Sequence, residues 1–181
     1  MKTPRNQRSA ADQPFAADGS INVIIETPKG SRNKFKYDEK LRRYRLCSVL
    51  PSGSVFPYDF GFVPGTKAQD GDPTDVLLLM DESVFPGCLV VARLIGVIEA
   101  EQKETSGKSE RNDRLICVAQ EARDYRDVRT LSDINKHLLD ELIHFFISYN
   151  EMKGKEFTFL GAHGPKPALK LLKKTVLKSR K

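Results

Sequence analysis

Three cysteines, Cys47, Cys88 and Cys117, are few and widely spaced. Their odd number and the lack of any CxxC pair exclude a disulfide framework and a thiolate metal centre, so reduced thiols in a cytoplasmic protein are expected. Histidine is equally scarce. His137 and His144 fall seven apart on one predicted helix and His163 is distant, which offers no histidine metal site. No apolar run reaches membrane-spanning length, so no transmembrane helix and no membrane partner are expected. The opening MKTPRNQRSAADQPFAADGS has no apolar stretch of the kind a secretory signal needs. Internal repeats and low-complexity segments are absent.

What is present suits one globular domain. The chain has 181 residues, 39% hydrophobic and 30% charged, enough for a full-sized core. The net charge of +6 is unevenly placed. Residues 163–181 hold seven Lys/Arg and no acid, which leaves 23 basic residues against 24 acidic ones in the body. A near-neutral body with a basic end is a weak case for a nucleic-acid partner. Residues 1–19 read as a flexible arm, 20–177 as the domain and 178–181 as a basic tail.

Along the domain, Ile21–Glu26, Asn33–Asp38 and Arg42–Ser48 read as strands. Leu50–Thr66 is rich in Pro, Gly and aromatics. Pro51, Pro57 and Pro64 argue against a regular central strand there, and Phe56, Tyr58, Phe60 and Phe62 alternate. That alternation serves either a core or a face for stacking nucleic-acid bases, and the core is favoured because only Lys67 is basic nearby. Val76–Met80, Cys88–Ala100 and Asp113–Gln120 continue as strands, with Glu101–Asn112 as an exposed hairpin loop. The period then turns helical from Leu131 to Met152, with Ser132 a candidate N-cap. Lys155–Gly161 is a last strand and Pro165–Leu177 a second helix. The order predicts an α+β fold, a closed or strongly curved antiparallel sheet with helices packed on it.

The chemistry concentrates in Asp70-Gly71-Asp72-Pro73-Thr74-Asp75, three carboxylates in six residues with two turn formers between them. Carboxylates held close repel unless a cation sits between them, and hard divalent ions with oxygen ligands fill that role. A solvated acidic loop is the plainer alternative. An EF-hand is excluded, because its sixth position would be Asp75 and its twelfth Asp81.

With the acidic turn set between an aromatic Pro/Gly segment and an apolar strand, the chain resembles the family I inorganic pyrophosphatases from about Ile21 to Gly161. The resemblance is carried by Ile25-Glu26-Thr27-Pro28, Asn33-Lys34-Phe35, Phe56-Pro57-Tyr58-Asp59-Phe60-Gly61-Phe62, Asp70-Gly71-Asp72-Pro73-Thr74-Asp75-Val76, Pro86-Gly87, Ile95-Gly96-Val97 and His144-Phe145-Phe146. It implies a small closed five-stranded, OB-like β-barrel with two flanking C-terminal helices. It implies hydrolysis of pyrophosphate with Mg²⁺, or Mn²⁺ in its place, and a homo-oligomer, a hexamer in many bacterial members. By that resemblance Asp70 and Asp75 match metal-binding aspartates and Asp72 the aspartate that orients or deprotonates the attacking water. Lys34 and Tyr149 match groups holding substrate oxygens, and Glu26 a carboxylate one layer behind the metal.

Departures fall on the same site. The family's Lys-x-Glu is Lys34-Phe35-Lys36, its arginine is Ser48, and two of its tyrosines are Phe56 and Phe60. Two metal-binding aspartates become Gln102 and Asn112, a lysine becomes Arg114, and the lysine after the helix tyrosine becomes Asn150. Asn112 keeps a carbonyl oxygen as a candidate ligand, and Asp113 would take over only with a one-residue shift. Arg45 lies three positions from Ser48, on the opposite face of an ideal strand. A rewired site follows, in which Lys34, Lys36 and Arg114 hold the anion; for Lys36 a solvated surface lysine is the equal alternative. Three functional readings stand: a divergent pyrophosphatase (or a hydrolase of a related phosphoanhydride), a weakened or inactive homologue that binds phosphoanions or serves assembly, and a single-strand nucleic-acid binder.

Overall fold

Apolar residues lie on both faces of β1, Ile21–Thr27, because the strand is covered on both sides. The structure, a computed structural model, describes residues 13–38 and 40–177. β1 pairs antiparallel through its second half with β4, Asp59–Val63, and through its first half with β6, Leu89–Lys103. β4 pairs with β5, Thr74–Leu79, and β5 runs parallel to β8, Arg114–Ala119. β8 returns antiparallel to β6. The far half of the 15-residue β6 carries β7, Ser109–Arg111, and β9, Glu156–His163. A separate hairpin joins β2, Asn33–Asp38, to β3, Arg43–Val49. Helix α1, Lys136–Glu151, packs on β9 and α2, Pro165–Thr175, on β6. Val76–Leu79 and Leu115–Val118 are wholly buried at the centre. The architecture is α+β, a mixed sheet with two helices.

Several expectations are corrected. The sheet is mixed, because β5 and β8 are parallel. The Pro-rich segment contains a central strand after all: Pro57 and Pro64 flank β4 and leave its donors intact. The predicted helix from Leu131 is split. Thr130 and Asp133 close a capping box on a short 3₁₀ turn, Leu131–Asp133, and Ile134 is extended at φ −90°, ψ 155°. Asn135 then caps α1 by accepting from His137 N at 3.0 Å, so Ser132 is not the cap. The loop expected over 101–112 is largely β-hairpin, since β6 continues to Lys103 and meets β7. Residues 1–12 of the expected arm and the tail 178–181 lie outside the described residues. Residues 13–19 fold back onto β1, where Phe15 bridges Ile21 and Asn22 N donates to Pro14 O at 3.0 Å.

β1 and β4 approach unusually closely at Gly61. A Cβ there would stand 2.1 Å from Ile24 O, a backbone atom that cannot swing aside. Gly61→Ala should therefore destabilise by about 3 kcal/mol or more, at or beyond the upper end of ordinary overpacking, as a fall in the urea unfolding midpoint would show.

Candidate active site

Two buried threonines set the base of the acidic loop. Thr66 Oγ1 donates to Val63 O at 2.6 Å and accepts from Thr74 N at 2.9 Å, so β4 and β5 are tied where the loop leaves them. Within the loop, Ala68 N donates to Asp72 O at 2.7 Å and Asp72 N to Asp70 Oδ1 at 3.1 Å. Gly71 takes φ +90°, a left-handed value that a side chain would strain. The turn carries Asp70 and Asp72 out to the rim, while Asp75 is already on β5.

The pairings supply the rest. Asp75 lies opposite Arg114 in the parallel ladder, so both leave the sheet on one face. Glu26 projects from β1 and accepts from Tyr37 N at 2.7 Å, which holds β2 against the sheet and swings Lys34 and Lys36 over the same face. All nine residues singled out from the sequence, Glu26, Lys34, Lys36, Asp70, Asp72, Asp75, Asn112, Arg114 and Tyr149, line one cleft of about 390 Å³.

Its cations are unusual. Arg114 is 3% exposed, its guanidinium carbon 4.1 Å from the Phe146 ring centre and 5.0 Å from that of Phe157. Nη1 donates to Asn112 O at 2.8 Å, but Nε is buried without a hydrogen-bond partner among the described residues. Lys34 Nζ sits 3.7 Å from the Phe60 ring centre and no nearer than 3.9 Å to Glu26. Burial pulls both pKa values below their ordinary range, against the pull of Glu26 and Asp75. Burial likewise raises the carboxyl groups of Glu26, Asp70 and Asp75, although Lys34 opposes this at Glu26, and Arg114 and Lys34 at Asp75. Asp72 and Glu110 add repulsion at Asp70. Phe56 and Phe60 wall the cleft at 1% and 5% exposure, so neither offers a stacking face to bases.

Lys36 donates from Nζ to Asp72 Oδ2 at 2.6 Å. Partial burial works against its charge, yet the Asp72 hydrogen bond and charge outweigh this and raise its pKa. It is thus engaged with the site's outermost aspartate. Tyr149 both packs against the core and lines the cleft. Its ring stacks on Phe145 at 5.7 Å and 18°, while its hydroxyl faces the cleft and its pKa is pushed up to about 12 by burial.

The β2–β3 hairpin alters the expectation for Arg45. Lys34 pairs with Ser48 but Phe35 with Leu46, so a bulge at Cys47 returns Arg45 to the face of Lys36, its cross-strand partner. Its side chain turns out to Asp38, 3.8 Å away, and it does not line the cleft. Asp113 does not replace Asn112 either. It accepts from Ala100 N at 3.1 Å and Arg111 Nη2 at 2.8 Å, on the far side of the strand.

The sequence reading missed Glu104, Glu110, Lys153 and Lys155, which also line the cleft. Lys153 and Lys155 follow the end of α1. Glu104 and Glu110 arrive on the β6–β7 hairpin, whose register sets Glu110 opposite Gln102, one of the positions that lost an aspartate. In the sequence these two glutamates fall in the charged stretch Glu101–Asn112, read there only as an exposed hairpin loop.

A divalent metal fits this donor set in part. Among the described residues, no three His, Cys, Asp or Glu side chains gather closely enough to enclose an ion. Mg²⁺ does not require that, since it commonly takes one or two carboxylates with water and substrate phosphate. Asp70 and Asp75 supply such carboxylates. The Asn112 amide donates from Nδ2 to Gln102 Oε1 at 3.2 Å, which leaves its carbonyl oxygen as a ligand.

Comparison with known proteins agrees with the geometry. The sequence model of a family described as "Inorganic pyrophosphatase" matches residues 23–180. A relative from Synechocystis sp., named inorganic pyrophosphatase, is 40% identical over 143 residues, 79% of this chain and 82% of its own. One of the same name from Methanosarcina acetivorans is 36% identical over 152 residues, 84% of this chain and 88% of its own. The crystal structure of inorganic pyrophosphatase from Thermus thermophilus superposes with a TM-score of 0.83 at 30% identity, over 93% of this chain and 97% of that one.

Thr66→Val keeps the shape but removes the acceptor of Thr74 N. A buried donor left unmatched costs roughly 1–3 kcal/mol. We expect a urea midpoint lowered accordingly and faster amide exchange across the Lys67–Pro73 loop.

Proposed function

The chain belongs to the inorganic pyrophosphatase family, and we propose on that basis how its cleft hydrolyses pyrophosphate to two phosphates. The observation that carries the reading is the pair of largely buried cations, Lys34 and Arg114, which share the cleft with three aspartates and, among the described residues, approach no carboxylate nearer than the 3.9 Å from Lys34 to Glu26. A phosphoanion with a divalent cation satisfies both halves of that arrangement.

Pyrophosphate resists attack because its charge repels the nucleophile. Asp70, Asp75 and the Asn112 carbonyl would hold Mg²⁺, or Mn²⁺ in its place, which would supply charge neutralisation and lower the pKa of water. Lys34 and Arg114 bind the non-bridging phosphate oxygens, with the Tyr149 hydroxyl as a further donor. Positioning and charge stabilisation carry most of the rate in phosphoryl transfer, so these contacts matter more than covalent help. Asp72 accepts the proton of the attacking water as its oxygen bonds to one phosphorus and the bridging P–O bond breaks. The leaving phosphate then takes up the proton that Asp72 accepted, which returns Asp72 to its carboxylate form. Lys36 holds Asp72 in the free enzyme and turns to the substrate when the anion enters. Glu26 anchors β2 through Tyr37 N and so positions Lys34.

The same proposal takes in the finer architecture. The β1–β6 pairing completes a cycle of five strands, β1-β4-β5-β8-β6, which supports the closed OB-like barrel expected from the family. A homo-oligomer, a hexamer by that resemblance, a cytoplasmic location and no nucleic-acid or membrane partner belong to it too. No helix of the described residues is long and apolar enough to cross a membrane. Nothing in the comparisons favours an inactive homologue.

Phosphate release from pyrophosphate should require Mg²⁺ or Mn²⁺, and Asp72→Asn should lower it by about a hundredfold or more. Release that is equal in the variant, or absent from the natural chain with either metal, contradicts the mechanism. Lys36→Ala should raise KM by roughly tenfold, the worth of one charge-assisted hydrogen bond, and an unchanged KM would remove Lys36 from the anion site.

A further inference from the structure

Asn150 stands where a cation is expected beside the helix tyrosine, yet the cleft is not short of one there. Asn150 is 1% exposed and its Nδ2 donates to Phe146 O at 2.8 Å, so it is neutral and committed to its own helix. The chain winds on past the end of α1. Lys153 N donates to Asn150 O at 2.9 Å, Gly154 N to Glu151 O at 2.9 Å, and Lys155 N to Asn150 O at 3.0 Å. Gly154 takes φ +69° and ends the turn. This extra turn sets Lys153 four residues after Tyr149, on the same side. Its ammonium lies 3.9 Å from the Tyr149 ring centre, donates to the Tyr149 hydroxyl, and lines the cleft.

We propose that Lys153 supplies the substrate-binding cation that position 150 lacks, gripping a phosphate oxygen of pyrophosphate jointly with the Tyr149 hydroxyl. This rests on the hydrolase reading above. The surroundings point to an anion. Lys34 faces Lys153 from β2, Arg114 from β8, Lys155 from the approach to β9 and Cys47 from β3. Among the described residues, Lys153 has no carboxylate partner. Glu104 is taken by Lys155, whose Nζ lies 2.6 Å from it. Partial desolvation of the ammonium, which lies against the Tyr149 ring, and the neighbouring cations lower the Lys153 pKa to about 8. Its ammonium is therefore charged below that pH, when it attracts the anion, and loses charge as pH rises through it.

The test is calorimetric titration of the full chain, in Mg²⁺, with methylenebisphosphonate, which has both phosphoryl groups but no cleavable bridge. Lys153 is an exposed residue, so Lys153→Met and Lys153→Arg should unfold at the natural chain's midpoint. Lys153→Met should bind the analogue roughly ten- to a hundredfold more weakly at pH 7, and Lys153→Arg within a few-fold of the natural chain. The fall in affinity across pH 7–9 should be shallower in Lys153→Met. Affinity and pH profile unchanged in Lys153→Met would overturn the proposal. Binding as described, without phosphate release from pyrophosphate by the natural chain, would instead overturn the hydrolase reading and leave the Lys153 assignment standing.

Discussion

The parallel pairing of β5 with β8 sets Asp75 directly across from Arg114, and the cleft is built outward from that register. It places a carboxylate and a guanidinium on one face, close enough to influence each other's ionisation without pairing directly among the described residues. A shift of one residue would send one of them into the core on the other face. Lys34 is added by the β2–β3 hairpin, itself held by the Glu26 bond to Tyr37 N. Asp70 and Asp72 are added by the loop that Thr66 closes. Opposite charges thus face each other across a space in which Lys36 closes on Asp72 while Lys34 and Arg114 stand off from Asp75, and a phosphoanion with a divalent cation is the proposed chemistry that completes both sets.

That arrangement costs stability. Buried charge without a close partner is held against its desolvation penalty, and here the pKa of Lys34 falls while those of Glu26 and Asp75 rise. Functional sites commonly keep such groups because binding, not folding, relieves them. The surrounding structure is stiff enough to bear it. Phe56 meets Phe145 and Tyr149 edge-on at 5.3 and 5.7 Å and Phe60 packs on Phe56 at 5.8 Å behind Lys34, while Phe146 and Phe157, 5.8 Å apart, back Arg114. The loss of two phenols from the expected pattern therefore trades hydrogen-bond donors for a drier wall.

Much of this was legible in the sequence. The Asp70–Asp75 turn, the β-branched strands and the helix that carries Tyr149 each have a local signal, and all nine proposed residues meet in one cleft. What escaped was long-range. The parallel contact of β5 and β8 depends on chain routing, and no residue type announces it. β4 was masked by prolines that turned out to mark its ends. The bulge at Cys47 reversed the face assigned to Arg45. Glu104, Glu110, Lys153 and Lys155 looked like ordinary surface charges until the β6–β7 hairpin and the turn after α1 aimed them inward.

The most direct test of the account is thermal unfolding of the natural chain and of Lys34→Met, each with and without Mg²⁺ plus methylenebisphosphonate. Burial lowers the Lys34 pKa on folding, so the charged form carries a cost in the folded state that the methionine is spared, and removing the lysine should not weaken the free protein. The account predicts a Lys34→Met variant that melts no lower than the natural chain yet loses the rise in midpoint that the analogue produces. A variant that keeps that rise in full would contradict it.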